Sequence, residues 1–506
     1  MAPNTVPEDI GMRPSLSRFA TTILAALLVV ACGSATSPDP STTPPLAAPP
    51  RSSPSAVTPL ATPGASTAWP SLPPAPPSAS LPVRGSALEI GVLTAAGPDG
   101  TVYVAISKPD GSVLALLESS GRPRPGWPIL VKDSTSCGRP MPVEDGSVRI
   151  ICTLENRAQD VFGPTRAFAV ESNGRMLAGR PVDLGDHGAE GFAAARVIDD
   201  ALTIYAWATI DSREFQNSWI MTVDADGAVR NGTQTRFVNC CDPRWAVGPD
   251  GVAYGSINDY GGSPEAPKSS ELFAVGLVGV RAGFPIAIEG LSSEPSFDAV
   301  GRIHITANDG PDRTARTLVF DTDGQAVGGG SDELGITATD DCMGIEGSCE
   351  VPAAPLVGPD GTRFVIDFSG TTVVGLSPSG QVMAGWPYRP QRGPSVSICC
   401  PEDSDPVVNF APPAIGRDNV LFLLHAAAAK SVGGSIVAVG PDGRVRPGWP
   451  VELTRPGAEF WSVVVGSDGT AYALAIEPEA NDTSSATILA IAPDSTVLYT
   501  ATVVEP

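Results

Sequence analysis

The chain has few of the residues that most often carry catalysis, and it is poor in positive charge. It contains only three histidines, His187, His304 and His425, and each stands outside any metal-ligand or nucleophile spacing. Lysine and arginine number 32 against 55 acidic residues, so the formal net charge is −23. Such a balance argues against nucleic acid as a partner, because little here could neutralise a phosphate backbone. The sequence predicts neither a metal site nor a bound cofactor, and isolated histidines on strands are expected to be packed or surface residues.

No apolar run approaches the roughly 20 residues that a transmembrane helix needs. The run Phe19–Ala31 is uncharged, follows Arg13 and Arg18, and suits the central region of a signal peptide. Its end, Val-Val-Ala-Cys32, resembles a bacterial lipobox, with an ordinary cleavage site as the alternative. The resemblance implies that residues 1–31 are a signal peptide and that Cys32 is lipidated. More than one acyl chain would then anchor the protein stably in the cell membrane or envelope, facing outside the cytoplasm.

Residues 32–86 follow the signal peptide and are dominated by proline, serine, threonine and alanine. A segment of this composition cannot bury enough apolar surface to fold. We therefore predict a disordered tether that begins at the lipidated cysteine and holds the rest of the chain away from the membrane.

A repeat organises residues 87–506. Its clearest copy is an apolar strand, a Pro-Asp-Gly turn at Gly443 and a second strand entered through Gly448-Trp449-Pro450. The turn recurs at steps of 45 to 63 residues, at Gly121, Gly174, Gly227, Gly279, Gly324, Gly380, Gly443 and Asp494-Ser495. A period near 50 residues that is carried by strands and turns is typical of propeller blades.

Each repeat can be divided into four strands, A to D, with no helical periodicity. In the first repeat, strands A, B and C are predicted at Ile90–Ala96, Thr101–Ser107 and Ser112–Leu117, and strand D follows Gly121. The sequence therefore predicts an all-β fold, a β-propeller of eight four-stranded blades over residues 87–506. Seven blades would result if the weak unit Ser292–Asp341 were something else.

The repeat resembles the propellers of the quinoprotein-dehydrogenase-like superfamily, which are built from PQQ-like repeats. In that family a Gly/Asp turn precedes an aromatic strand, and a second turn leads to a tryptophan that docks adjacent blades. Here Trp127, Trp386 and Trp449 follow their turn residue by six positions, where the family has about four. Because these tryptophans recur at equivalent positions, we predict that they pack between blades.

Cysteine usage fits an exported protein. Eight of the nine cysteines remain when Cys32 is set aside, and an even number in such a chain favours disulfides. Counting outward from the turn at Glu144-Asp145 places Cys137 opposite Cys152, within disulfide range on a hairpin.

The other cysteines lie in connections between blades. Cys342 and Cys349 share one loop and are predicted to close it. Cys240-Cys241 and Cys399-Cys400 are adjacent pairs. A related adjacent ring occurs at the cofactor site of quinoprotein dehydrogenases, so a bridge within each pair would support that resemblance. We favour the alternative, in which each pair stiffens a loop or bonds elsewhere.

Two Asp-rich turns resemble the start of a calcium loop, at Asp224–Gly227 and Asp321–Gly324. Calcium needs six or more oxygen ligands, and the later carboxylates of such a loop are missing after both turns. We therefore predict that both are simple turns.

Two functions from different classes remain open. The favoured one is a tethered propeller that binds an unknown protein or glycan partner or acts as an assembly scaffold. The alternative is an extracytoplasmic quinone-dependent or sugar-active enzyme, as the resemblance implies.

Strand direction alternates within a blade, so the tight A–B and C–D turns share one face and the longer B–C and D–A loops share the other. Because loops on a rigid scaffold concentrate binding residues, we predict the contact surface on the loop face, with Arg213, Arg244, Trp245 and Tyr260 as candidate contacts.

Overall fold

Strands and turns make up the part of the chain that the structure describes, and no helix is found there. The computed structural model describes residues 84–85, 91–108, 111–156, 161–184, 192–210, 215–238, 244–259, 269–309, 314–328, 330, 334–336, 352–366, 372–389, 413–425, 433–479 and 484–503. The predicted signal peptide, Cys32 and nearly all of the predicted tether lie outside the described residues.

The strands form eight antiparallel sheets, one for each predicted repeat, and each sheet is a blade. Blades 1 to 4 contain, in chain order, Gly91–Ala96, Val102–Lys108, Gly111–Leu117 and Ile129–Lys132; Ser134–Cys137 with Met141–Pro142, Val148–Asn156, Val161–Val170 and Val182–Asp183; Phe192–Ile198, Ala201–Ile210, Phe215–Val223 and Val229–Val238; and Arg244–Val247, Ala253–Asp259, Ser269–Gly276 and Gly279–Val280 with Ile286–Glu289.

Blades 5 to 8 continue the pattern with Ser296–Phe297, Ile303–Asp309 and Thr314–Phe320; Leu356–Val357, Arg363–Ile366 and Val373–Leu376; Ala414–Ile415, Leu421–His425, Ser435–Val439 and Val451–Glu452; and Glu459–Val465, Ala471–Pro478, Ser484–Ile491 and Val497–Thr502. Backbone hydrogen bonds mark the fourth strand of blades 5 and 6. In blade 5, Ala315 donates to the carbonyl of Ile336 and accepts from the N–H of Leu334; in blade 6, Val373 and Tyr388 donate to each other's carbonyl groups. The fold is therefore an eight-bladed β-propeller of four-stranded blades, and the described residues of the weak unit Ser292–Asp341 form its fifth blade.

The core is divided among the junctions between blades. Strand B of blade 1, Val102–Lys108, is buried along its whole length, because neighbouring blades cover both of its faces. Eight apolar clusters occur in the described residues, and each joins one pair of adjacent blades. This division explains how a chain of this length dispenses with a single large core, since each blade packs only on its neighbours.

Contacts between blades 8 and 1 close the ring. The hydroxyl groups of Thr94 and Ser462, on the two innermost strands, lie 2.6 Å apart. Tyr472 of blade 8 donates its hydroxyl proton to the carbonyl of Gly100 in blade 1, at 3.0 Å. The short strand Arg84–Gly85 pairs with Ser484-Ser485 in strand C of blade 8 and extends its outer edge.

The turns lie where the repeat predicts them. Each A–B turn contains a residue with positive φ, at Gly100, Gly146, Asp199-Asp200, Gly251, Gly301, Gly361, Asn419 and Gly469. Each C–D turn does the same, at the eight positions that define the repeat, ending with Ser495. Glycine adopts this backbone conformation without strain, and aspartate and asparagine tolerate it, which is why these residue types mark the repeat.

Candidate functional site

The C–D turns hold the blades together through the predicted tryptophans. The Nε1 of Trp127 donates to the carbonyl of Ser172, in the C–D turn of the next blade, at 3.0 Å. Trp386 reaches Pro441 in the same way at 2.9 Å, and Trp449 reaches the carbonyl of Pro493 at 3.3 Å. All three indoles are largely buried. The tryptophans therefore dock adjacent blades, as the sequence predicts.

The glycines beside these residues allow the backbones of two blades to touch. A Cβ atom on Gly126 would overlap the carbonyl oxygen of Asn173, and one on Gly174 would overlap that of Gly126. The same reciprocal contact joins Gly385 to the turn at Gly443. The C–D turns on this face of the ring are therefore engaged in assembling the propeller.

The two Asp-rich turns make the contacts of ordinary tight turns. The carboxylate of Asp321 accepts hydrogen bonds from the backbone N–H groups of Asp323 and Gln325, and that of Asp226 accepts one from Ala228. Asp224 is held by Arg230, with Nη2 2.6 Å from its carboxylate. No group of three or more metal-ligating side chains occurs among the residues that the structure describes.

The disulfide between Cys137 and Cys152 is present, with an S–S distance of 1.99 Å and a Cα–Cα distance of 4.0 Å. The prediction of this pair is confirmed. The residues between the turn and the cysteines, however, pair in a different register from the one assumed when counting outward from Glu144-Asp145. Met141 faces Arg149, one step out of the register that joins the cysteines, so three residues oppose two between these pairs. This β-bulge offsets a turn that is one residue longer than the count assumes. Cys240, Cys241, Cys342, Cys349, Cys399 and Cys400 lie outside the described residues.

The four candidate partner contacts have different positions. Arg213 and Tyr260 lie outside the described residues. Trp245 is only 3% exposed and stacks on Tyr205, with ring centroids 4.1 Å apart. It therefore packs between blades 3 and 4 and offers no contact surface, which corrects the prediction for this residue. Arg244 is half-buried and begins the innermost strand of blade 4.

Charged side chains accompany Arg244 at the same end of the innermost strands. Desolvation raises the pKa of Glu294, which precedes strand A of blade 5, and the nearby charge of Arg244 partly opposes that rise. Desolvation also raises the pKa of Glu459, the first residue of strand A in blade 8. Because these strands begin at the D–A connections, all three groups lie on the loop face, towards the centre of the ring.

Arg139 is a further inner-strand residue that the sequence did not single out. It lies in the bulge between Cys137 and Met141, and its Nε donates to the carbonyl of Thr94 in blade 1 at 2.9 Å. Its side chain is exposed, yet surrounding protein lowers its pKa by desolvation. Both observations fit a guanidinium in the concave centre of the ring. Its position two residues after Cys137 is the one signal in the sequence that could have pointed to it.

A buried polar cluster lies at the junction of blades 5 and 6. The carboxylate of Asp298 lies 2.6 Å from Nε of Arg302 and 3.1 Å from Nε2 of His304. Burial lowers the pKa of His304, as do the charges of Arg363 and Arg302, although Asp298 acts in the opposite direction. Burial also lowers the pKa of Arg363 to about 10. His304 is therefore a packed residue, as the sequence predicts. His187 lies outside the described residues.

Comparison with family models and with curated proteins finds no match for the chain. Solved structures include an inactive virginiamycin B lyase from Staphylococcus aureus at 12% identity and a TM-score of 0.33, covering 59% of this chain and 92% of that one. A quinoprotein alcohol dehydrogenase-like protein from Bacteroides thetaiotaomicron matches at 11% identity and a TM-score of 0.32, covering 82% and 97%. Prolyl oligopeptidase B from Galerina marginata matches at 11% and 0.38, covering 77% and 55%. At these values no functional argument rests on the likeness.

Among the described residues, no helix is long and apolar enough to cross a membrane.

Proposed function

We propose that the protein is a membrane-tethered, extracytoplasmic β-propeller that binds a protein or glycan partner on its loop face. One observation carries the choice of face: the C–D turns on the opposite face are engaged in docking one blade on the next. The tryptophan hydrogen bonds and the reciprocal glycine contacts leave those turns little freedom to vary. The B–C and D–A connections, in contrast, differ in length from blade to blade.

The charged groups at the centre of the loop face support this choice. Arg244 and Glu294 come from adjacent blades, and Glu459 comes from blade 8, so the same end of the ring presents both signs of charge. A rigid ring that holds such groups in place loses little conformational entropy when a partner binds. The surface therefore suits polar recognition of a protein or glycan.

The tether and anchor complete the proposal and rest on the sequence. Cys32 would carry the lipid, and residues 33–86 would separate the propeller from the membrane. In polyproline geometry, at about 3.1 Å per residue, this segment could extend on the order of 150 Å. Such a reach would let the loop face meet partners well beyond the membrane surface.

Photo-crosslinking in cells tests the assignment of the face. A photoreactive amino acid is placed at position 213 or 260 on the loop side, and at position 99 or 442 in the turns of the opposite side. We expect a discrete crosslinked species only from the loop positions. Crosslinking only from the turn positions, with correct folding shown by circular dichroism, would mean that the face is wrong.

The enzyme alternative has a separate test. The absorption spectrum of the purified protein is recorded with added calcium and quinone. A stoichiometric bound chromophore would overturn the proposal in favour of a quinone-dependent enzyme, whereas an unchanged protein spectrum is the result that we expect.

A further inference from the structure

Aromatic pairs occupy equivalent positions at four junctions of the ring. One ring is the third residue after the positive-φ residue of an A–B turn, and the other immediately precedes a cis-proline before strand D. The ring centroids lie 5.1 to 6.3 Å apart in Tyr103–Trp127, Tyr254–Phe284, Phe364–Trp386 and Phe422–Trp449. These pairs bury large apolar surfaces between successive blades.

Two arginines take both positions at the junction of blades 2 and 3. Arg149 is the third residue after Gly146, and Arg180 precedes the cis-proline Pro181. Arg180 Nη2 donates to the carbonyl of Asp224 in the C–D turn of the next blade, at 2.7 Å. It thereby takes the place of the indole N–H that Trp127, Trp386 and Trp449 supply at three other junctions.

Both arginine residues are almost fully buried, at 3% exposure for Arg149 and 9% for Arg180. Arg149 Nη1 donates to Ser147 Oγ at 2.7 Å. Three further donors, Nε of Arg149 and Nε and Nη1 of Arg180, are buried and have no acceptor among the described residues. A buried donor without an acceptor is costly. Burial lowers the pKa of Arg180, and the nearby positive charge of Arg149 lowers it further.

The carboxylates around the pair do not fill this role. Asp145 and Asp200 act on Arg149 through space, and Asp226 acts on Arg180. Asp145 and Asp226 accept hydrogen bonds from N–H groups of their own turns. None of the three forms an ion pair with either arginine among the described residues. The junction therefore holds unused donors and incompletely balanced positive charge.

We propose that Arg149 and Arg180 form a binding site for a small inorganic oxyanion between blades 2 and 3. An oxyanion would accept hydrogen bonds from the unused donors and relieve the repulsion between the two guanidinium groups. Guanidinium donors match the geometry of such anions, and hydrogen bonds between charged groups are the stronger ones. This inference goes beyond the proposed function, because the oxyanion site lies beside the C–D turn at Asp224 and does not depend on which partner binds the loop face.

The aromatic pairs at the equivalent positions of other blades suggest a double variant that tests the site. Arg149→Tyr with Arg180→Trp restores the aromatic pair of the other junctions and removes both charges. Phosphate and sulfate binding to the purified full chain is measured by isothermal titration calorimetry at constant ionic strength, with chloride as the comparison ion. We expect about one oxyanion per wild-type chain and none in the double variant. The melting temperature of the wild type should rise with oxyanion concentration, as mass action requires, and that of the double variant should not.

A matched control removes two other arginines, one close to the C–D turn of each of the same two blades. Arg175 and Arg230 are exposed and ion-paired with Glu171 and Asp224. Arg175→Gln with Arg230→Gln loses the same charge and should bind the oxyanion as the wild type does. Equal loss of binding in this control would show a diffuse charge effect and overturn the proposal.

A single variant keeps the test decisive if the double variant does not fold. Arg149→Gln leaves the Arg180–Asp224 hydrogen bond in place and should weaken oxyanion binding about tenfold to a hundredfold. Three results would refute the site: no oxyanion binding to the wild type, binding of chloride alone, or unchanged affinity in a folded Arg149 variant. Each can be obtained without knowledge of a loop-face partner, so failure here is distinguishable from failure of the proposed function.

Discussion

Replacement of Trp386 separates the two contributions of a docking tryptophan, its ring packing and its hydrogen bond. The indole is 7% exposed, lies 5.1 Å from the ring of Phe364, and donates to the carbonyl of Pro441 at 2.9 Å. Trp386→Phe keeps a ring against Phe364 but leaves that carbonyl without its donor. The free energy of unfolding should fall by about 1–3 kcal/mol. Trp386→Ala also removes the ring and should cost about 3–5 kcal/mol.

Urea unfolding followed by circular dichroism measures both changes, with the slope m checked because a ring of repeats need not unfold in one step. Trp461→Phe is the matched control, because the half-buried Trp461 indole makes no hydrogen bond to the described residues. It should change stability less than Trp386→Phe. No cost for the phenylalanine variant at position 386 would refute the docking role of the N–H group. Equal costs for the phenylalanine and alanine variants would refute the contribution of ring packing.

The remaining predictions concern junctions, the disulfide and the anchor. Phe284→Trp should stabilise the junction of blades 4 and 5 by about 0.5–1.5 kcal/mol in urea unfolding, by supplying the donor that three other junctions have. The pKa of His304 is lowered in the folded state, so the unfolded chain binds the proton first as the pH falls. The contribution of His304 to the free energy of unfolding is therefore fully present above about pH 6.5 and is lost below it. The melting temperature should fall from pH 7 to pH 5, and His304→Gln should make that fall smaller. Reduction of Cys137–Cys152, which closes a 15-residue separation, should cost about 3 kcal/mol in denaturant, and no change would contradict it. Cys32→Ser should release the protein from the membrane fraction, and a variant that still pellets with membranes would disprove the anchor.

The turns were predictable because they depend on local backbone conformation. A positive φ favours glycine, aspartate or asparagine, so Gly146 and Asn419 mark their turns even in weak repeats. Ser495 is recognisable only by its spacing from Gly443. The eight-bladed architecture follows from these local signals and from the regular step between them.

Residues whose roles depend on the neighbouring blade were harder to predict. Arg180 stands in a recognised repeat, but its tryptophan-like role depends on a carbonyl 44 residues away. Trp245 lies beside a long connection, which suggested exposure, whereas its ring is covered by Tyr205 of the preceding blade. Arg139 is directed inward by the β-bulge between Cys137 and Met141, which the residue types of this segment do not predict. Their environments follow from packing between blades, which a repeat pattern does not encode.

The pairing of Arg84–Gly85 with blade 8 has a mechanical consequence. Any pull on the preceding chain reaches the ring first through this two-residue pairing with Ser484-Ser485, and next through strand Gly91–Ala96 of blade 1. The first blade and the last therefore share the load at the seam that closes the ring. Tension on a tether would therefore act at the point where the ring of blades closes.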